Sequence, residues 1–327
     1  MHINYGEGEE HAIARLHEKI EQPLASLLKS LNHGGPFTRV NNISEPSDST
    51  FSWISDPQYS GSSHPRIDFL EWLGNEGQVF CITGLPGSGK STIMKFLAGS
   101  DNQNQQTLRY LKPWATPGNP RILAFYFWLA DRANIQNSFR GFLCHLLHQL
   151  LSLTSWEVAS DLVPLDWLQK KHKIDNWGPK ELERLLITTT SRIVSVTPLC
   201  FFIDALDEFI DSDREDVVRI IRELIVDDGR HLKIKFCVSL RPDPKIQRQL
   251  GNAVIRSLEL HTATQNDIQR YVTDELERCW KGNPTSPTDQ KNELISKVVF
   301  SARGVFLWVI LVARKLREGI DLGDSIG

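Results

Sequence analysis

The chain lacks a long hydrophobic run, a cysteine pair at metal spacing and any surplus of basic charge. Each absence removes a class of function. The longest apolar run, Val305 to Ala313, is too short to span a bilayer. The five cysteines, Cys81, Cys144, Cys200, Cys237 and Cys279, are scattered, with no C-x-x-C pair among them. An odd, dispersed set predicts reduced thiols in a cytoplasmic protein, not a disulfide frame or a zinc site. The net charge of −3 supplies no basic field to draw the chain to nucleic acid. Met1 to Glu10 is polar and acidic and carries no signal-peptide pattern. There is no self-similarity at the roughly 20–50-residue periods of solenoids. His145 and His148 share a predicted helix without an Asp, Glu or Cys at metal spacing, so they read as surface or packing residues.

What is present is an ordinary globular composition, 40% hydrophobic and 24% charged over 327 residues. That length suits one large α/β unit with an appendage. The most informative stretch is Gly84-Leu85-Pro86-Gly87-Ser88-Gly89-Lys90-Ser91-Thr92, which fits G-x-x-x-x-G-K-[ST]. Val79 to Ile82 before it reads as a buried strand, and Ile93 to Leu97 after it as a helix. A strand, a glycine loop and a helix form the context a phosphate-binding loop needs. Glycines at 84, 87 and 89 can take positive φ and bring backbone N–H groups close to an anion. The helix that follows points its positive end at the same place. Lys90 is expected at the β- and γ-phosphates, the Ser91 hydroxyl at Mg²⁺, and the Thr92 N–H at the α-phosphate. The alternative, a glycine turn that binds nothing, is disfavoured by the strand and helix on either side.

The second chemical landmark is Pro198-Leu199-Cys200-Phe201-Phe202-Ile203-Asp204, an apolar strand ending in aspartate and followed by Ala205-Leu206-Asp207-Glu208. A carboxylate at the end of a parallel strand lies where such sheets place ligands, and it can hold Mg²⁺ through water. Asp207 or Glu208 is placed to orient or deprotonate an attacking water. The competing reading is a solvated acidic loop ahead of the next helix. A further strand, Leu232 to Leu240, ends in Ser239-Leu240-Arg241-Pro242. Arg241 is the candidate sensor of the γ-phosphate and Ser239 the second choice. A surface ion pair is the other reading of Arg241.

Around these landmarks the pattern predicts an amphipathic helix over Ala12 to Leu31, a linker over Asn32 to Thr50, and a short helix over Pro65 to Leu73. Phe51 and Trp53, ahead of the loop, read more readily as packing residues than as partners of a nucleotide base. Further helices are expected over Leu108 to Trp114, over Ser138 to Leu153 with Asn137 or Ser138 as N-cap, and over Glu181 to Val194. Asp213 to Val226 is another. Ser155 to Pro179 reads as irregular. Strands are expected near residues 80, 123, 201, 236 and 257, which together imply a parallel α/β sheet with right-handed crossovers. From Thr264 the pattern is purely helical: a helix through Trp280, another over Leu294 to Phe300, and a third over Gly304 to Leu316. The last is apolar on all sides, as buried helices are, and with so little chain left to cover it its partner is expected in sequence not present here. Arg303, just before it, is a weak candidate for the nucleotide cleft.

Taken together, these segments resemble the NACHT-type signalling NTPases of the STAND class, in particular the fungal nephrocystin-like N-terminal NTPase domain. The resemblance runs from about Leu27 to Ile320. It is carried by Thr50-Phe51-Ser52-Trp53-Ile54, Phe69-Leu70-Glu71-Trp72-Leu73, the phosphate loop, Phe125-Tyr126-Phe127-Trp128 and Ser138-Phe139-Arg140-Gly141-Phe142-Leu143. Phe202 to Glu208, Ser239 to Pro242, Asp267-Ile268 with Tyr271-Val272, and Gly304-Val305-Phe306-Leu307-Trp308-Val309 complete it. It implies an α/β fold: a parallel-sheet P-loop NTPase core over 51–262, a C-terminal helical lid over 263–327, and an N-terminal helix and linker over 1–50. It also implies Walker A at Gly84 to Thr92, a Walker B acid at Asp204 with Asp207 and Glu208 as its acidic extension, and a sensor at Arg241. The expected cofactors are Mg²⁺ and ATP (or GTP), with ATP favoured because no N-K-x-D motif is found. The expected role is a nucleotide-dependent switch in signal transduction of a self/non-self, innate-immunity-like kind. Such a switch hydrolyses slowly and self-associates when triphosphate-bound. Winged-helix, effector and repeat domains common in the family have no counterpart here, so the chain reads as the NTPase module alone, a short member or a truncated gene product.

Two other readings stand beside the switch. One is an interaction scaffold that holds nucleotide without turning it over. The other is a P-loop kinase for a small acceptor, disfavoured by the Asp-x-x-Asp-Glu loop and the helical tail. A nucleic-acid motor is disfavoured by the acidic charge and the lack of a basic stripe.

Overall fold

The structure is a computed structural model and describes residues 23–32, 38–47, 50–55, 64–99, 105–127, 138–164, 167, 176–226, 232–251, 254–280 and 288–321. The expected helix over Ala12 to Leu31 lies outside them except for its last part. In chain order the elements are α1 (23–31), α2 (Thr38–Asn42), α3 (Ser52–Ser55), α4 (His64–Gly74), β1 (Val79–Thr83), α5 (Lys90–Ala98), α6 (Gln105–Ala115) and β2 (Arg121–Tyr126). They continue with α7 (Phe139–Leu151), α8 (Trp156–Leu162), α9 (Pro179–Val194), β3 (Leu199–Asp204), a 3-10 turn (Leu206–Glu208), α10 (Asp211–Ile225), β4 (Ile234–Leu240), α11 (Pro244–Leu250) and β5 (Val254–Glu259). The chain ends in α12 (Leu260–Ala263), α13 (Gln265–Trp280), α14 (Thr288–Ala302) and α15 (Phe306–Asp321). Among the described residues no helix is long and apolar enough to cross a membrane.

Contacts divide the chain into two compact units. The first takes in Met1–Arg39, Trp128–Pro198 and Phe209–Lys233. In it α7 packs along α9, and α10 lies against both. Ser138 caps α7 as its sequence predicts, its Oγ accepting from Gly141 N at 3.1 Å. Arg219 on α10 grips Glu183 on α9 through two hydrogen bonds, 2.6 and 2.9 Å. Trp177 is buried and donates from Nε1 to Ser30 Oγ at 3.2 Å, which ties α1 to this unit. Helix α8 lies in a stretch whose pattern read as irregular. Seven residues are too few to show helical periodicity.

The second unit comprises Val40–Phe127, Leu199–Glu208 and Ile234–Gly327. Its sheet is five-stranded and all-parallel, in the order β2-β3-β4-β1-β5. Strands β1, β3 and β4 are buried at every position. That accounts for the apolar runs of β1 and β3, because a strand covered on both faces shows no alternation. Phe80, Ile82, Ile122, Ala124, Cys200, Phe202, Cys237 and Leu258 form one face. Against it pack Phe69 and Trp72 of α4, Met94 and Leu97 of α5, and Leu111 and Trp114 of α6. Cys81, Cys144, Cys200 and Cys237 are buried and free, as the scattered spacing predicts.

Two buried lysines interrupt this apolar packing, and both are satisfied. Lys235 on β4 is wholly buried, and its Nζ donates to Trp72 O (2.6 Å), Asn75 O (2.5 Å) and Gly77 O (2.6 Å) at the end of α4. It lies over the rings of Trp72 and Trp114 at 5.0 and 4.7 Å. A cation at a helix C-terminus meets carbonyls the helix leaves unpaired. Lys95 on α5 donates to Ile43 O at 2.9 Å and pairs with Glu45 at 2.6 Å. The stretch Asn32 to Thr50, expected as plain linker, therefore contains α2 and an anchored segment with Ile43 buried.

The C-terminal helices share their own core of Ile268, Val272, Leu276, Ile295, Val298, Ala302, Phe306 and Val309. Helix α15 is buried along one face among the described residues. Phe306, Val309 and Ala313 are buried, whereas Leu307, Trp308 and Leu311 are 54, 37 and 52% exposed. Helices α13 and α14 cover only one side of it.

Candidate functional site

The phosphate loop leaves the carboxyl end of β1, which is flanked by β4 and β5. Its geometry explains the residue types. Gly87 and Gly89 have φ of +74° and +94°, a region that strains any residue with a Cβ. A Cβ on Gly84 would stand 2.7 Å from Ser88 Oγ. Ser88 N donates to Leu85 O at 3.2 Å, closing the turn. Gly89 is the N-cap of α5, which then begins at Lys90. Ser91 and Thr92 follow in its first turn, both half-buried. Ser88 Oγ is buried and has no hydrogen-bond partner among the described residues.

Lys90 folds back on the loop. Its Nζ donates to Gly84 O at 2.9 Å and Leu85 O at 3.1 Å. Burial pulls its ammonium below the usual lysine range. Asp207 and Asp204 pull the other way, Arg241 adds to the lowering, and Glu208 opposes it. The same charges show that the tips of β1, β3 and β4 share one electrostatic neighbourhood.

Asp204 ends β3 and is fully buried. Its Oδ1 accepts from Ser239 Oγ at 2.5 Å, and the same Oγ accepts from Ala205 N at 2.9 Å. Ser239 thus fixes both the carboxylate and the turn after it. Ala205 sits at φ +57°, and the chain folds at once into the 3-10 turn of Asp207 and Glu208, with Glu208 N donating to Ala205 O at 2.9 Å. A left-handed non-glycine residue beside a charged site is a form of strain the surroundings must hold. Asp207 Oδ1 accepts from Arg241 N at 3.0 Å, and its Oδ2 lies 3.1 Å from Arg241 Nε. Arg241 therefore rests on Asp207 in this state, and its own side chain is half-exposed.

Tyr126 was not foreseen. It closes β2 in register with Asp204, is buried, and has no partner for its hydroxyl among the described residues. Burial and the Asp204 charge push its phenol above the usual range. Asp267 was missed as well, though it stood within one of the quoted motifs. It lies in the first turn of α13 and takes Phe51 N at 3.1 Å and Trp53 Nε1 at 2.8 Å on one oxygen. Its spacing suggested only an ordinary first-turn acid. Phe51 and Trp53 are 1 and 2% exposed, which makes them packing residues.

The C-terminal helices also reach the loop. Leu307 N donates to Gly87 O at 2.9 Å, and a Cβ on Gly87 would lie 3.0 Å from Leu307 Cβ and 3.3 Å from Val305 Cγ1. Arg303 and Gly304 carry φ of +47° and +78° and turn the chain from α14 into this contact. Arg303 itself is exposed. A cavity of about 260 Å³ opens on the outer side of Asp267, lined by Pro46, Ser47, Thr50, Arg270 and Tyr271 among others.

The residues fit a nucleotide with its metal. The orphaned Ser88 hydroxyl, the glycine cradle and the parked lysine suit a polyphosphate. Among the described residues no three His, Cys, Asp or Glu side chains are grouped to hold a metal on their own. Mg²⁺ does not need such a trio, because it keeps water and binds substrate oxygens beside one or two protein groups. Ser91 and Asp204 are the residues that would hold it.

A family model described as Nephrocystin 3, N-terminal, matches residues 62–241. That span contains the phosphate loop, Asp204, the acidic turn and Arg241. No curated protein matches the chain.

Proposed function

Because the chain belongs to the nephrocystin 3 N-terminal family, a P-loop NTPase family, we propose that it is a nucleotide-dependent signalling switch that binds ATP (or GTP) with Mg²⁺ and hydrolyses it slowly. The observation that carries this reading is Lys90. Its ammonium is parked on the carbonyls of Gly84 and Leu85 and lies in the field of Asp207, Asp204 and Glu208. A phosphate entering the cradle offers this lysine a stronger, charge-assisted partner than two neutral carbonyls. The backbone N–H groups of 87–92 and the start of α5 bind the β-phosphate, and Lys90 turns to the β/γ oxygens. Ser91 and Asp204 hold Mg²⁺, which when bound offsets phosphate charge. Glu208 or Asp207 orients the attacking water. Arg241 leaves Asp207 to meet the γ-phosphate, which frees the acid at the same moment.

The C-terminal helices are the element that moves. Their contact with the loop runs through Gly87 O, a group that shifts when the cradle fills. The triphosphate state then exposes a surface for self-association. The setting is a pathway of the self/non-self or innate-immunity kind.

A second reading is a scaffold that holds nucleotide without turnover. The pairing of both Asp207 oxygens with Arg241 favours it. Nucleotide binding and phosphate release by the parent and Lys90→Ala separate the two. The switch predicts Mg²⁺-dependent binding that weakens at least about tenfold in the variant, with release lost. Binding by the parent with no phosphate release supports the scaffold. No binding of Mg·ATP or Mg·GTP removes both.

A further inference from the structure

Asp267 is a carboxylate with no solvent exposure, placed 216 residues from the backbone it holds. Its Oδ2 accepts Phe51 N (3.1 Å) and Trp53 Nε1 (2.8 Å), and its Oδ1 accepts Arg270 Nη2 (3.1 Å). Such a group costs desolvation unless its hydrogen bonds are made, and here two of the three are made to one short segment, Phe51 to Trp53. That segment is itself strained. Phe51 has φ +64°, a conformation a bulky residue adopts only when its surroundings impose it.

The imposed conformation aims the Phe51 ring at the loop. A Cβ on Gly89 would lie 3.3 Å from Phe51 Cζ. Gly89 is the N-cap of α5, immediately before Lys90. The ring also meets Phe96 further along α5, with centroids 6.3 Å apart. The chain ahead of it is tied to α5, because Lys95 holds Ile43 O and Glu45. Residues 43–47 are thus fastened to α5, and residues 50–53 to α13. Phe51 is the wedge between α13 and the loop–helix junction.

We propose that Asp267 is a positioning residue for the phosphate loop, acting through Phe51 to fix Gly89 and the first turn of α5 in the conformation that receives a polyphosphate. The proposal rests on the nucleotide-switch reading. Asp267 touches no phosphate itself. It sets how well the N–H groups ahead of Lys90 are held in place, and so how long a bound nucleotide stays. A loosened wedge lets the junction sample conformations that do not bind, which lowers affinity by the fraction lost.

The test uses the full chain and a fluorescent ATP analogue with Mg²⁺. Dissociation is followed by stopped flow, alongside the thermal midpoint of the nucleotide-free protein. The variants are Asp267→Asn, Phe51→Leu and the double substitution. Each single change is expected to speed dissociation about tenfold. The double variant is expected to match the singles rather than multiply them, because both act on one path. A spectroscopic arm compares the parent with Trp53→Phe. The difference emission assigns Trp53, and its response to nucleotide should vanish in Asp267→Asn. Parent-like dissociation in Asp267→Asn, with only a lowered thermal midpoint, makes the residue a structural tie and overturns the proposal. If Asp267→Asn does not fold, parent-like dissociation in Phe51→Leu overturns it equally. Absence of binding by the parent removes the nucleotide reading itself, a different result from binding that the substitutions leave unchanged.

Discussion

At the tips of β3 and β4 the polar groups are buried and fixed by short hydrogen bonds. In the bundle of α13, α14 and α15, Asp267 apart, the ion pairs have exposed cations. Asp204 and Ser239 are both inaccessible and share a 2.5 Å bond. Glu275 of α13 meets Arg278 at 2.7 Å and Arg317 of α15 at 3.5 Å, with the two arginines 68 and 50% exposed. The first arrangement gives precision and tolerates little change. The second is held by one apolar face, so its ion pairs weigh little. A region whose charges are held in fixed places and a region held by one apolar face are built from different materials. Among the described residues, Asp267 ties the bundle to Phe51 and Trp53, and the Gly304–Leu307 turn ties it to Gly87 of the phosphate loop.

The comparison is broken most sharply at Gly304. A Cβ there would stand 2.0 Å from His261 O with φ at +78°. Gly304→Ala should destabilise the protein by about 3 kcal/mol, read as a lower denaturation midpoint. A change under about 0.5 kcal/mol would mean that the turn relaxes freely and does not tie bundle to loop. Ser239→Ala comes next. It leaves Asp204 and Ala205 N without their shared partner, and a loss of about 2 kcal/mol is expected in denaturant titrations.

A pH profile separates the Asp267 tie from the bundle. Burial, outweighing the hydrogen bonds from Phe51 and Trp53 and the charge of Arg270, holds the Asp267 carboxyl above its ordinary value of 3.8. The folded state therefore keeps a proton that the unfolded chain has already lost. Its stabilisation is complete below the unfolded value and fades as pH rises through the folded one. Denaturation midpoints of the parent against Asp267→Asn should differ in slope across that window. Parallel curves would show that the group does not titrate differently on folding. The smallest effect belongs to the surface. Arg278→Ala should cost less than about 0.5 kcal/mol, and a larger loss would place the bundle among the precisely built parts.

The sheet and the loop were legible because local chemistry writes them. Unbroken apolar runs mark strands covered on both sides, and the glycines of 84–89 answer to turn geometry within six residues. The same holds for Asp204, which simply ends its run. What escaped was long-range. Nothing near Asp267 says that it accepts a hydrogen bond from Phe51, and nothing near Ile43 says that Lys95 holds its carbonyl across 52 positions. Nothing near Lys235 says that it satisfies the end of α4, 158 to 163 residues earlier. Helix α15 bears on the same point: its composition suits burial on every side, but how much of a helix is covered depends on how many neighbours the fold supplies. Short helices such as α8 and α11, seven residues each, carry too little pattern to read.

Helix α15 also sets a scale for any motion that starts at the loop. Its first N–H after Phe306 is bonded to Gly87 O, and it runs for 16 residues from Phe306 to Asp321. At about 1.5 Å per residue it is a rod of about 24 Å, so a pivot of about ten degrees at its base sweeps its far end by about 4 Å. A displacement too small to see at a glycine peptide becomes, at Asp321, a distance that a pair of spin labels can measure.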